Sequence, residues 1–169
     1  MTDPLPGREP VALAPPCEPI TGDSHGHLLT PLENFAARQG YSVRYLPLNG
    51  SADGWCDSER MEIAINERLA ANAQVRVLVH ELAHALGLGY RELGRERAEV
   101  LVDTVTYIVC SSVGLDVGGA SIPYVAGWGE HGELDAIRQY AQTVDDVARR
   151  LETVLASEDE RAAAQPRAA

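Results

Sequence analysis

Cysteine is scarce in this sequence: Cys17, Cys56 and Cys110 are scattered, and no two share a C-x-x-C spacing. An odd, sparse set excludes a disulfide framework and fits a reducing compartment, so a cytoplasmic chain is expected. Basic residues are also few, 14 Lys and Arg against 25 Asp and Glu, which leaves a net charge of −11 and a pI near 4.8. Neutralising phosphates takes clustered Lys and Arg, so this balance argues against direct nucleic-acid binding. No apolar run approaches the roughly 20 residues of a membrane span. The N-terminus lacks a signal-peptide pattern, and the chain holds no internal repeat. What is present is ordinary for one globular domain with its own core: 169 residues, 45% of them hydrophobic.

Residues 1–23 carry six of the ten prolines (Pro4, Pro6, Pro10, Pro15, Pro16, Pro19) and read as an extended arm or linker, with room for one short strand at 11–14. His25 and His27 form an H-x-H pair before a helix start, where capping and surface roles fit better than metal binding. Leu28 to Gln39 has a helical stripe (Leu28, Leu29, Leu32, Phe35, Ala36) that Gly40 ends. Tyr41–Leu46 and Met61–Ile65 alternate and are rich in β-formers, which predicts two strands separated by a polar Gly-rich loop and Trp55-Cys56-Asp57. Asn66 and Asn72 read as turn or cap residues ahead of the next helix. A strand at 61–65 with a free edge would accept an extended peptide by main-chain hydrogen bonds. Near the C-terminus, 133–155 is an amphipathic helix, and 157–169 lacks apolar periodicity and reads as a disordered tail.

The chemistry concentrates in Val79-His80-Glu81-Leu82-Ala83-His84-Ala85-Leu86-Gly87. Val75, Leu78, Val79, Leu82 and Leu86 fall at helical spacing, so this H-E-x-x-H lies on an amphipathic helix. Positions four apart lie one above the other, so His80 and His84 can share one metal ion. Imidazole suits zinc, and two histidines supply half of a tetrahedral shell. Glu81 sits beside them, placed to take a proton from water. A catalytic zinc needs a third protein ligand, and a second helix predicted over 96–113 offers Glu99. Asp103, one turn on, is placed to accept the outer N–H of a ligand histidine. The remaining segment, 121–128, is aromatic: Tyr124 is a candidate oxyanion donor, with core packing as the alternative, and His131 could play the same part. Trp128 reads as packing.

His80-Glu81-Leu82-Ala83-His84-Ala85-Leu86-Gly87, then Arg95 to Asp103, Cys110, Gly114-Leu115 and Tyr124-Val125-Ala126-Gly127-Trp128 together resemble the zincin-like metallopeptidase domain of ArdC-type antirestriction proteins. That domain is related more distantly to the ImmA/IrrE-type metallopeptidases. The resemblance spans about residues 24–156 and implies His80 and His84 as ligands, Glu81 as catalytic acid/base and an acid of the second helix as third ligand. The order of Glu99 and Asp103 is similar to thermolysin-type gluzincins, where the first acid binds metal and the second supports a histidine. Many relatives carry Glu at the position of Asp103, which keeps the choice between 99 and 103 open. ArdC-type proteins also have an N-terminal single-stranded-DNA-binding domain, for which this chain has no counterpart.

The expectation is an α+β, zincin-like fold of the gluzincin type over 24–156, with a small sheet packed on the H-E-x-x-H helix and a second ligand helix. Its function would be zinc-dependent hydrolysis of peptide bonds in a protein or peptide substrate. Two alternatives stand beside it: an acidic, non-catalytic interaction or antirestriction module with a structural metal site, and a regulator that cleaves one specific repressor.

Overall fold

Three short strands form one mixed sheet: β1 (Ser42–Leu46), β2 (Gly54–Asp57) and β3 (Glu62–Asn66), in the order β1-β3-β2. The structure is a computed structural model, described for residues 18–117 and 138–164, with side chains to Ser157. β3 runs parallel to β1 (Val43 opposite Ile63) and antiparallel to β2 (Cys56 opposite Ile63). Ile63, Ala64 and Ile65 are all fully buried, so the central strand is covered on both faces instead of showing one face to water. Peptide addition to the strand over 61–65 depends on a free edge there. In the fold both of its edges are paired, and β2, which has no strand pattern in sequence, is the outer strand on that side. Four residues are too few for an alternating signal to stand out.

The helices are α1 (Leu29–Arg38, entered by a 3-10 turn at Gly26–Leu28), α2 (Ala71–Ala85), α3 (Tyr90–Leu93), α4 (Arg95–Ser112) and α5 (Ala141–Ala164). α2 is the centre of the fold. It packs on β2 and β3 and also touches α1, α4 and α5. That position explains why Val75, Val77, Leu78, Val79, Leu82 and Ala83 are buried around most of its circumference, a wider apolar face than one stripe. α4 lies between α2 and α5, and Leu101, Val105 and Val109 join Leu151 and Leu155 in the same core.

Three local readings change. Asn72 is not a cap: Ala70 precedes the helix, and the Asn72 amide instead donates to Thr21 O and Ser24 Oγ while accepting from His25 N. Those bonds, with Asn72 N on Gly22 O and Ile20 against the core, tie down residues 20–22, which composition alone places in the 1–23 arm. At the other end the backbone stays helical to Ala164, past the tail boundary expected at 157, because Ala, Glu and Arg are strong helix formers even without an apolar stripe. The expected strand at 11–14 and the start of the last helix at Glu133 lie outside the described residues.

Gly54 allows β2 to lie directly on α2. A Cβ there would sit 2.5 Å from Val77 Cγ1 and 2.8 Å from the Ala64 carbonyl oxygen. Gly54→Ala is therefore expected to destabilise the fold by about 1–3 kcal/mol, the usual range for overpacking. Urea unfolding against an exposed control such as Ser51→Ala checks this, and an unchanged midpoint would remove the close approach.

Candidate metal centre

His80 and His84 lie one turn apart on α2, their rings 5.1 Å between centroids and 75° to one another. The end of α2 sets the second ring. Gly87, at φ +115°, adopts the left-handed backbone that glycine favours, and Gly87 N and Leu88 N donate to His84 O and Ala83 O in a Schellman turn. The turn buries Leu88 completely and brings its carbonyl oxygen 2.8 Å from His84 Nδ1. A carbonyl only accepts, so Nδ1 carries the proton and Nε2 is left with a free lone pair.

α4 presents two acids to these rings. Glu99 Oε2 lies 3.4 Å from His80 Nε2, and Glu99 Oε1 lies 3.9 Å from His84 Nε2. Asp103 Oδ1 stands 3.2 Å from His80 Nδ1, on the far side of the ring, with Arg76 Nη2 3.8 Å from the same oxygen. Arg76 Nε, His80 Nδ1 and Asp103 Oδ1 are buried together without an aligned hydrogen bond, so charge holds this trio more than bond geometry does. His80, His84 and Glu99 each offer a ligand atom within 4.8 Å of the others, a cluster that can hold a metal ion. Asp103 stays outside it.

The electrostatics follow from burial and proximity. Burial alone would lower His80, but Asp103, Glu99 and the charge of Glu81 outweigh it and raise His80 to about 9. For His84 burial wins, and its pKa is lowered. Contact with His80 holds Glu99 down at about 2, against a smaller opposing effect of burial. Glu81 is 7% exposed, and burial pushes its carboxyl up to about 7.

Glu81 borders a cleft of about 880 Å³ between β2 and the α3–α4 segment, lined also by His80, His84 and Glu99. A Cβ at Gly54 would lie 3.3 Å from Glu81 Oε1, so the β2 backbone closes over this carboxyl. Across the mouth, Arg91 Nη2 reaches Glu59 Oε1 at 2.5 Å. The structure thus brings together His80, Glu81, His84, Glu99 and Asp103. His25 is elsewhere, its Nε2 3.0 Å from Val113 O at the end of α4. Tyr124, Trp128 and His131 lie outside the described residues. Sequence reasoning missed Tyr90, whose hydroxyl donates to Glu99 Oε1 and whose ring packs on His84 at 4.9 Å between centroids. It also missed Arg76, for which a signal existed: four residues before His80, it shares that face of α2. For Tyr90 no spacing rule was available, because α3 is a single turn between glycines.

Residues 32–100 match the family described as Peptidase_M78, IrrE N-terminal-like domain. The chain is also similar to an uncharacterized protein of Bacillus anthracis, 31% identical over 99 residues that cover 56% of this chain and 17% of that protein. This chain therefore spans less than a fifth of that relative's length. No solved structure matches. Among the described residues no helix is long and apolar enough to cross a membrane.

Cys56, on β2 in the cleft wall, is pushed up to about 12 by burial and then by the charges of Glu81 and Asp57; burial does the same to Cys110. A thiol at that value is about 10⁻⁴ thiolate at pH 8, against about a quarter for an unperturbed cysteine. Alkylation of both at pH 8 should be far slower in the folded chain than in urea, followed by peptide mass spectrometry. Equal rates for Cys56, which is half-buried, would contradict the raised pKa of its thiol beside Glu81.

Proposed function

We propose that this chain is a zincin-like, zinc-dependent peptidase domain of the ArdC type, hydrolysing peptide bonds in a protein or peptide substrate. The observation that carries this reading is the convergence of His80 Nε2, His84 Nε2 and Glu99 on one point beside the buried carboxyl of Glu81. The match of residues 32–100 to a peptidase family supports it. Two imidazoles and one carboxylate are an established donor set for catalytic zinc, which keeps a further position open. The outer nitrogens are backed as ligand histidines usually are, by the Leu88 carbonyl and by Asp103. His80, His84 and Glu99 would thus hold the ion, with Asp103 and Arg76 behind His80.

An ion held by His80, His84 and Glu99 would supply Lewis-acid chemistry at the scissile carbonyl and the attacking water. Glu81 would take a proton from the attacking water on its carboxylate and deliver it to the leaving amine nitrogen. A carboxyl raised towards neutrality can do both, since a catalytic acid/base works best with a pKa near the operating pH. The outer edge of β2, unpaired among the described residues, offers main-chain groups to an extended peptide alongside Glu81. Tyr124 remains our candidate oxyanion donor from sequence.

Two outcomes test the ligands and the chemistry. His80→Ala, His84→Ala and Glu99→Ala should each lose stoichiometric zinc and its stabilisation of the fold. Asp103→Ala should weaken binding by about 10–100-fold, as loss of a ligand's support does. Metal analysis beside thermal unfolding reads both, and a stronger effect at Asp103 than at Glu99 would reverse their roles.

Glu81→Gln keeps shape and reach but cannot take a proton. It should fold, bind zinc as wild type does and lose about 10²–10⁴-fold in hydrolysis. New protein N-termini in cells expressing wild type but not the variant are the readout. If no cleavage depends on Glu81 while a partner binds both forms equally, a non-catalytic binding module replaces the peptidase.

A further inference from the structure

Among the described residues, Tyr90 touches both a histidine and the acid of the candidate centre without belonging to either ligand helix. It opens α3, the single turn between Gly89 and Gly94, and none of α3 is buried. Tyr90 itself is 47% exposed, so core packing does not account for its orientation. Three contacts do. Its ring meets the His84 ring edge-on, 4.9 Å between centroids at 66°. The Arg95 guanidinium lies 5.7 Å from the ring centroid on α4. Its hydroxyl donates to Glu99 Oε1, the oxygen 3.9 Å from His84, while Oε2 faces His80 Nε2 at 3.4 Å.

We propose that Tyr90 is a positioning residue for Glu99, engaging Oε1 so that the carboxylate presents Oε2 alone to a metal held with His80 and His84. The inference rests on the zinc reading above. An ionised carboxylate has two oxygens and can chelate with both. A metal that takes both loses the position which a catalytic site keeps open. A phenol bonded to Oε1 opposes that by making it the poorer donor, and it stops the carboxylate from rotating about its end. Arg95 and His84 hold the ring from two sides, so the hydroxyl is aimed before any metal arrives. Tyr90 thereby does for the acid what Leu88 O and Asp103 do for the histidines.

The test uses the full chain as wild type, Tyr90→Phe and Tyr90→Ala, with the metal alone as probe. Tyr90→Phe keeps the ring on His84 and beside Arg95 and removes only the hydroxyl. Zinc affinity, measured by competition with a chromophoric chelator, should fall about 10–100-fold in Tyr90→Phe. The visible absorption of the cobalt-substituted variant should move from the intense bands of four-coordination to the weaker bands of a higher-coordinate ion. The thermal midpoint of the metal-free variant should fall by only a few degrees, the cost of one partly exposed hydrogen bond, with the fold intact by circular dichroism. Tyr90→Ala should lose at least as much affinity. Wild-type zinc affinity and an unaltered cobalt spectrum in Tyr90→Phe overturn the proposal, as does a loss of affinity in a variant whose metal-free form has lost its fold. A wild-type chain that binds no zinc overturns the zinc reading itself, and this inference with it.

Discussion

The centre depends on how the outer nitrogens of His80 and His84 are held. An imidazole on a helix can turn about two bonds, and it presents a lone pair in a fixed direction only when its other nitrogen is engaged. His84 is engaged by a carbonyl that the Schellman turn at Gly87 swings back over the last turn of α2. His80 is faced by Asp103 at 3.2 Å, a charge contact without an aligned hydrogen bond that exists only because α4 packs along α2. One anchor is local and belongs to the helix end. The other is tertiary, and it comes with the same helix face that delivers Glu99.

Charge around this arrangement is distributed so that each buried group has a counterpart. Asp103 lies between His80 and Arg76, Glu99 between His80, His84 and Tyr90, and Glu81 near both His80 and Arg76. Burying an acid without such partners would cost several kcal/mol or force it to stay neutral. Glu81 is the least compensated of the three, and correspondingly its pKa is raised where that of Glu99 is lowered. The exposed pair Arg91–Glu59 at the cleft mouth differs in kind. Water and salt screen it, so it shapes the entrance more than it stabilises the fold.

The sheet matters to the site mainly through one missing side chain. Gly54 lets the backbone of β2 lie against Val77 and Glu81, which dries the carboxyl from one side and puts an outer strand along the cleft. β3 supplies the buried support beneath, with Ile63 and Ile65 under α2. A strand of four residues carrying glycine, tryptophan, cysteine and aspartate has no repeating pattern of its own. Its pairing with β3 is what makes it a strand.

What could be read from the order of residues alone was whatever repeats with helical or strand period. The α2 and α4 stripes, the one-turn spacing of His80 and His84, the one-turn spacing of Glu99 and Asp103, and the core face of α5 follow from local geometry, because 3.6 residues per turn applies wherever a helix forms. The pairing of His80 with Asp103, the closeness of Glu99 to both rings, the loss of a free edge at β3 and its transfer to β2 came only with the fold. So did the contacts of Tyr90 and Arg76. These are meetings between segments far apart in the chain, or on a turn too short to have a period, and they are set by which surfaces bury the most apolar area together.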